Sequence, residues 1–531
     1  MADDNLNEHY FLWLSDVHFD PYYATSQAFK SSFYQHVNCD SVDAQALGQY
    51  GCDSPTALVH SALDYAVNIT SGKEPMFIII SGDSVRHGVD LLFTGGDFNE
   101  GGEARYNDKN SSNSAVEEAA HSSWHKQAMQ TTGDIVNELV SIVQLAFPNS
   151  EIIVSLGNND VVPDYYLQLF EDGNENDEDV SFTETTLTPD TSGMLGVLFN
   201  ALASTGSAHS NDNTTATTST RLLEEQSDNE TITEPILMAS DQSTFLKGGY
   251  YSRQIHNGAI TILSINTVLY SINFGPQPNN VDDPGYQFKW MRTVLSNCRE
   301  LGTQAIIVGH IAPGVGSFRH TQLWQIQYIQ TYYDIVQEYD EVITGQLFGH
   351  IHTDEFRVGL DNSTASSSSN DISMIPQLSI PILLGPSITP LHGNDPALRL
   401  VKYGTESGSS SGSESDTLHY QLLDYDSHRF TSGSTLQWSK LYTFSEAYGS
   451  IASDIIQEEG LSSKVFQTIL QSMEDDKGKK SPVLELYRSY MISGAGIEGN
   501  NRGVNDKCNV QCRNELVCHF NRQRDLVMIL A

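Results

Sequence analysis

Basic residues are scarce in this chain of 531 residues: 28 Lys and Arg stand against 67 Asp and Glu, a formal net charge of -39. Such a field repels DNA, RNA and anionic membranes at long range, so no nucleic-acid binding is expected. An anionic substrate stays admissible, because bound divalent cations can invert the potential inside one cleft. Long apolar runs are missing too, and no stretch is long enough to span a bilayer. Met1–Tyr10 is polar and has no leader character, so either the chain is a mature or shortened one or it is not secreted. No Cys-x-x-Cys pair occurs among the six cysteines, which argues against a structural zinc site. Cys39 and Cys52 lie close together, Cys508, Cys512 and Cys518 cluster, and Cys298 stands alone. Local disulfides in an oxidising compartment are expected, in keeping with Asn-x-Ser/Thr sequons at Asn68, Asn110, Asn213, Asn229 and Asn362. The expected location is therefore extracellular, or a vacuolar or lysosomal lumen, and the chain is expected to be a glycoprotein.

Hydrophobic residues make up only 39% of the chain, and the deficit is concentrated. Asp90–Ser122 is rich in Gly, Asn and Ser, Asp172–Glu234 is acidic and rich in Ser and Thr, and Gly404–Asp416 is almost wholly Ser, Gly, Glu and Thr. Such compositions bury too little apolar surface to offset their ordering entropy, so they read as surface insertions and a linker. Between them, short apolar runs bounded by Gly or Asp read as buried strands: Tyr10–Leu14, Met76–Ile80, Ile152–Leu156, Ile260–Ile265, Ala305–Val308 and Val342–Phe348. Helical spacing covers Ser54–Asn68, Trp124–Leu145 and Tyr286–Leu301. The alternation predicts a layered α/β domain. It spans residues 10–403, with insertions at about 90–122 and 172–234, a linker at 404–417 and a C-terminal region, 418–531, ending in a helical tail with its own cysteines.

What is present in quantity is imidazole and carboxylate at the ends of these runs. Ser15-Asp16-Val17-His18 follows the first strand and Gly82-Asp83 the second. Gly157-Asn158-Asn159-Asp160, Gly309-His310 and Gly349-His350-Ile351-His352 follow later ones. Ligands gather at strand ends in α/β folds. An i, i+2 pair on a strand would point two side chains to one face, which would explain Asp-x-His and His-x-His. This donor set suits Zn, Fe or Mn, and two such ions can activate water and clamp a phosphoryl group. Any one Gly-His is most simply a packed core histidine; the ordered series is not. Trp124, Trp290 and Trp324 read as core, and Gly95–Gly102 lacks the Lys-Ser/Thr of a phosphate loop.

The ordered series resembles that of the calcineurin-like metallophosphoesterases. Within them it is similar to the acid sphingomyelinase-like phosphodiesterases and the related vacuolar endopolyphosphatases. The supporting stretches include Leu14–Tyr23, Gly51–Val59, Ser81–Gly88, Phe147–Asp160, Asp283–Met291, Val308–Gly314, Phe348–Phe356 and Gly385–Pro390. The resemblance implies a two-sheet α/β sandwich flanked by helices. It implies two divalent ions, expected to be zinc: one on Asp16, His18, Asp83 and His352, the other on Asp83, Asn158, His310 and His350. Asp83 would be the bridge and a metal-bound hydroxide the nucleophile on a phosphodiester or phosphoanhydride. His87 matches a histidine that contacts substrate phosphate. Asn159 stands where the sphingomyelinase-like branch has histidine; since Asn cannot act as an acid, this tilts the expectation toward an anhydride, hence an endopolyphosphatase as the alternative. Retention of His350 and His352 leans the other way. The motifs start too near the beginning for a saposin-like domain, which favours a small phosphodiester, nucleotide or polyphosphate over membrane-bound sphingomyelin. A catalytically weak secreted glycoprotein scaffold is the reading from another class.

Overall fold

A computed structural model describes residues 8–25, 39, 47–72, 75–94, 123–169, 192–204, 235–275, 282–317, 321–358, 380–405, 419–432, 436–474 and 482–493. The six apolar runs become strands within a residue or two of their expected bounds: β1 Glu8–Leu14, β2 Phe77–Ile80, β3 Glu151–Val154, β5 Ile260–Ser264, β6 Gln304–Val308 and β7 Ile343–Phe348, and a strand no run announced, β4 Tyr251–Ile255, precedes β5. β8 Glu355–Arg357, β9 Ile382–Leu384, β10 Ala397–Thr405, β11 Tyr420–Ser432 and β12 Leu436–Thr443 follow. They form two six-stranded sheets, ordered β12-β11-β10-β1-β2-β3 and β4-β5-β6-β7-β9-β8. Each has a parallel centre, β1-β2-β3 in one and β5-β6-β7-β9 in the other, with antiparallel strands added outside it.

The parallel strands are buried on both faces; Phe77–Ile80 and Gln304–Val308 have no exposed member. Helices α1 Thr56–Ile69, α2 Ser123–Ala146, α3 Met194–Ala203, α4 Gln287–Leu301 and α5 Ile326–Glu338 flank the sheets. α1 turns Leu58, Val59, Ala62, Leu63 and Ala66 inward, the i, i+3, i+4 stripe of an amphipathic helix. α3 lies inside the Ser/Thr-rich stretch and buries Met194, Leu195, Leu198, Phe199 and Leu202. β11 and β12 extend the first sheet beyond the linker, and α6 Phe444–Glu459, α7 Ser463–Glu474 and α8 Pro482–Met491 follow. The tail touches the catalytic half directly: the Asp354 N–H donates to the Met491 carbonyl at 2.9 Å. No helix among the described residues is long and apolar enough to cross a membrane.

Of the seven parallel strands, β1, β2, β3, β6 and β7 each end in one of the ligand motif loops, so the motifs gather at the C-terminal ends of the strands. The loops are laced together by main-chain bonds. His18 N–H donates to the Asp83 carbonyl at 2.9 Å, and Gly349 N–H to that of His310 at 2.8 Å. The two sheets thus bring distant segments of chain to one edge.

Candidate active site

The pleat does not aim the paired ligands. β1 ends at Leu14, and Asp16 and His18 lie beyond it with φ of 47° and 44°. Asp83 (49°), His350 (75°) and His352 (63°) are also left-handed. For residues with a Cβ this region is unfavourable, and such strain gathers where surrounding structure fixes a functional geometry. The expectation of i, i+2 pairs on a pleated strand is corrected accordingly: the side chains converge because the loops curl over, not because the strand alternates. Two of the motif glycines are required for the same closeness. A Cβ on Gly157 would lie 2.1 Å from Asp83 Oδ1, and one on Gly82, itself at φ +88°, would lie 2.6 Å from the His310 ring.

Three groups of donors result, Asp16 with His18 and His352, Asp83 with His310 and His350, and, at the rim, His18 with Asp53 and His87; within each group the donor atoms lie within 4.8 Å of one another, and the first two are the ones formed wholly by the expected ligands. Asp83 Oδ2 is the atom between these two, 3.4 Å from His18 Nε2 and 3.2 Å from His310 Nε2. His352 Nε2 is 3.5 Å from Asp16 Oδ1 and 3.3 Å from His18 Nε2, and Asn158 Oδ1 is 3.2 Å from His310 Nε2. Bonds of about 2.0–2.1 Å to a first-row divalent ion, at tetrahedral angles, set neighbouring donors roughly 3.3 Å apart. The observed spacings fit that separation.

Hydrogen bonding fits it too. His310 Nδ1 is 2.9 Å from the Ser81 carbonyl, so it carries the proton and donates. Its Nε2 lone pair then faces Asp83 and Asn158 oxygens, an arrangement that calls for a cation between them. In the metal-free charge balance, burial works against a charged His310, but the Asp83 carboxylate outweighs it and raises the pKa to about 9. Burial drives His18 and His350 down to about 3 and raises Asp16 to about 6. Burial opposes charge on Asp83 as well, yet His310 and His18 hold it well below the usual carboxylate range. Two nearly inaccessible carboxylates among four imidazoles are thus built to keep one positive charge at hand, which divalent ions would supply.

The surrounding shell is ordered. The His350 N–H lies 3.0 Å from both Asp16 carboxylate oxygens. Asp160, fully buried, accepts from the N–H groups of Val85 (3.0 Å) and Gly157 (2.8 Å), clamping the second and third motif loops. Asn159 turns inward: its N–H donates to Asp83 Oδ1 at 2.9 Å and its Nδ2 to Asp83 Oδ2 at 2.8 Å. His87 lies at the rim, stacked on His18 with ring centroids 4.0 Å apart. Asp53 accepts from the His87 N–H at 2.9 Å and sits 3.0 Å from its Nδ1. Burial lowers the His87 pKa, but Asp53 more than offsets this and raises it. Asp53 adjoins Cys52, which is disulfide-bonded to Cys39.

All of the expected site residues, Asp16, His18, Asp83, His87, Asn158, Asn159, His310, His350 and His352, meet at this edge. Sequence reading missed Asp53, Asp160 and His392. Asp53 and Asp160 lay inside motif stretches already singled out, where an acidic residue beside a ligand motif was the available signal. His392 follows Gly385–Pro390 and carried no signal of its own. Trp290 and Trp324 are buried and His125 bonds the Val162 carbonyl at 2.9 Å, which are packing roles. Gly95–Gly102 and Cys508, Cys512 and Cys518 lie outside the described residues, as do all the sequons except Asn68, which is exposed in the last turn of α1.

The donor set is that of a metal-dependent phosphoesterase. Along much of its length the chain is similar to acid sphingomyelinase-like phosphodiesterases. It is 26% identical over 532 residues to acid sphingomyelinase-like phosphodiesterase 3b of Homo sapiens, covering 97% of this chain and 88% of that protein. It is 24% identical over 425 residues to the Homo sapiens cyclic GMP-AMP phosphodiesterase SMPDL3A, covering 78% of this chain and 68% of that one. A dimetal phosphatase from Danio rerio superimposes with a TM-score of 0.33 at 9% identity, over 75% of this chain and 95% of that one, and adds nothing to the topology read from the strands. No family model matches the chain.

Proposed function

We propose that the protein hydrolyses a phosphodiester at a centre of two divalent ions. The observation that carries this reading is Asp83 Oδ2, set between two separate groups of imidazole and carboxylate donors. One ion would be held by Asp16, His18, Asp83 and His352, the other by Asp83, Asn158, His310 and His350; zinc suits this mixed N/O set. When bound, such a pair supplies Lewis acidity, which activates water and neutralises phosphoryl oxygens.

The chain's own residues do the rest. The Ser81 carbonyl fixes the His310 tautomer, and the His350 N–H orients Asp16. Asn159 and the clamp by Asp160 hold Asp83 in place. Asp53 fixes the His87 ring at the rim, where it can meet a phosphoryl oxygen. In the overall step a water oxygen forms one P–O bond while the ester P–O bond breaks, and the departing oxygen acquires a proton to leave as an alcohol.

Both relatives named above carry phosphodiesterase in their names, which supports a diester over an anhydride. The disulfide between Cys39 and Cys52 supports an oxidising location, secreted or in a vacuolar or lysosomal lumen. Purified protein loaded with zinc would be given bis-p-nitrophenyl phosphate, a cyclic dinucleotide, sphingomyelin micelles and long-chain polyphosphate, with metal counted by mass spectrometry. Diester cleavage with two ions per chain is expected. Shortening of polyphosphate with diesters untouched would move the protein to the endopolyphosphatase alternative. Two ions with no turnover on any of them would favour the scaffold reading.

A further inference from the structure

An imidazole that no motif predicted stands at the mouth of the site. His392 is exposed, and its ring lies edge-on to that of His352, centroids 4.6 Å apart at 66°. The Asp53–His87 pair is near enough to act on it electrostatically. Of the other histidines here, His18, His310, His350 and His352 face one another around Asp83, so their ring nitrogens are directed to the centre.

The position of His392 is fixed by main chain. It sits at the third position of a tight turn in which Gly393 N–H donates to the Pro390 carbonyl at 3.1 Å. On one side Thr389 N–H donates to the Asp16 carbonyl at 3.2 Å and Ile388 N–H to that of Ser15 at 3.1 Å. On the other, Gly51 N–H reaches the Pro390 carbonyl at 3.4 Å, tying the turn to the disulfide loop. Asn394 Nδ2 braces it from within, donating to Ser387 Oγ at 2.8 Å and to the Thr389 carbonyl at 3.2 Å. Leu391 is buried, so the turn has an apolar root and presents only the imidazole. A side chain held in this way over a ligand loop is preorganised, and a preorganised donor needs no reorganisation when charge develops nearby.

The inward turn of Asn159 sharpens the point. Its amide is engaged with Asp83 and the His87 ring is held by Asp53, which leaves His392 as the further imidazole at the mouth for the departing oxygen. We propose that His392 is a substrate-contacting residue that donates a hydrogen bond to the leaving-group oxygen of a phosphodiester, making the site one for esters of basic alcohols. This rests on the diesterase reading above. The bond it makes strengthens as the P–O bond breaks and negative charge grows on the alcohol oxygen. It therefore matters most for an alkoxide and least for a nitrophenolate, which carries that charge unaided.

The test compares zinc-loaded wild type, His392→Ala and His392→Gln on two diesters of one nucleoside. Thymidylyl-thymidine departs as an alkoxide, and the p-nitrophenyl ester of thymidine 5′-monophosphate as a nitrophenolate. For His392→Ala the expected loss in kcat/KM is about 100-fold on the dinucleotide and under about 3-fold on the nitrophenyl ester. His392→Gln, which keeps an N–H, should recover part of the loss. Metal content and thermal midpoint should match wild type in both variants. Equal losses on both esters, or loss of metal, would make His392 a prop for His352 and overturn the proposal. Unchanged rates on both would overturn it as well. Wild type that cleaves neither ester would sink the diesterase reading itself, and this inference with it.

Discussion

Replacing Asn159 with Ala separates two roles that the sequence alone runs together. Asn159 could touch substrate, or it could hold Asp83. The Nδ2 bond to Asp83 Oδ2 is 2.8 Å long, buried, and made to a carboxylate. A charge-assisted bond of this kind is worth about 1.5–3 kcal/mol. The bond from the Asn159 N–H to Oδ1 survives the substitution, so Asp83 loses one anchor and keeps one. At 1.4 kcal/mol per factor of ten, metal affinity should weaken about 10–100-fold, the usual range for an outer-shell partner. Since the lost contact does not involve the reacting phosphate, kcat at saturating zinc should stay within about 3-fold of wild type. Apo protein would be titrated with zinc against a competing chelator, and turnover of bis-p-nitrophenyl phosphate followed at rising zinc. Unchanged zinc affinity with a fall in kcat of about 100-fold or more at saturation would refute the reasoning and put Asn159 on the substrate.

Asp83→Ala should abolish turnover and metal binding together, because both donor groups share that carboxylate; near-normal activity with two ions bound would sink the dinuclear assignment. Gly157→Ala places a methyl group where Asp83 Oδ1 lies, 2.1 Å from the ideal Cβ, and should cost about 1–3 kcal/mol of stability as well as zinc affinity, read by thermal unfolding and metal analysis. A third effect concerns pH. His256, whose Nε2 is 2.6 Å from the Tyr403 hydroxyl, is pushed by burial, and then by His9, from 6.5 down to about 4. The unfolded ring binds a proton more readily than the folded one, so stability is full above pH 6.5 and falls as pH drops from there to about 4. At pH 5 the full shift would correspond to roughly 2 kcal/mol, and solvent screening of a partly buried ring reduces this to about 1 kcal/mol. His256→Asn should therefore lose about 1 kcal/mol less than wild type between pH 7 and pH 5 in urea unfolding; an equal loss would show that the ring takes its proton without penalty.

The ligands were legible and their geometry was not. Asp16, His18, Asp83, Asn158, His310, His350 and His352 announce themselves because a short motif of metal-donor residues follows five of the six apolar runs. The central strands were legible for the same reason: a strand covered on both faces reads as an unbroken apolar run, as Phe77–Ile80 does. The outer strands are different. Leu436–Thr443 has only one buried residue, Tyr442, and its alternation is too weak to stand out from a loop. β8 and β9 span three residues each, shorter than any window in which a period can be recognised. α3 was hidden by the composition of the polar stretch around it, although Met194–Ala203 by itself is strongly apolar.

The curl of the ligand loops was illegible for a deeper reason. Left-handed backbone at Asp16, His18, Asp83, His350 and His352 runs against the local preference of those residues, so local signals predict the opposite. Only tertiary contacts impose it, among them the bonds from His18 to Asp83 and from Gly349 to His310, between segments far apart in sequence. The glycines are the trace that this leaves in the sequence. Gly82 and Gly157 can be recognised as turn formers, but that one meets a histidine ring and the other an aspartate oxygen is a property of the assembled site. His392 stands at the far end of the same gradient. It holds no motif and no ligand position, and it gains chemical meaning only because the Thr389–Asp16 and Gly51–Pro390 bonds carry its turn over His352. Residues that bind the ions are constrained by type and can be read from a list of donors. Residues that meet the substrate are constrained by position, and position is set by the fold.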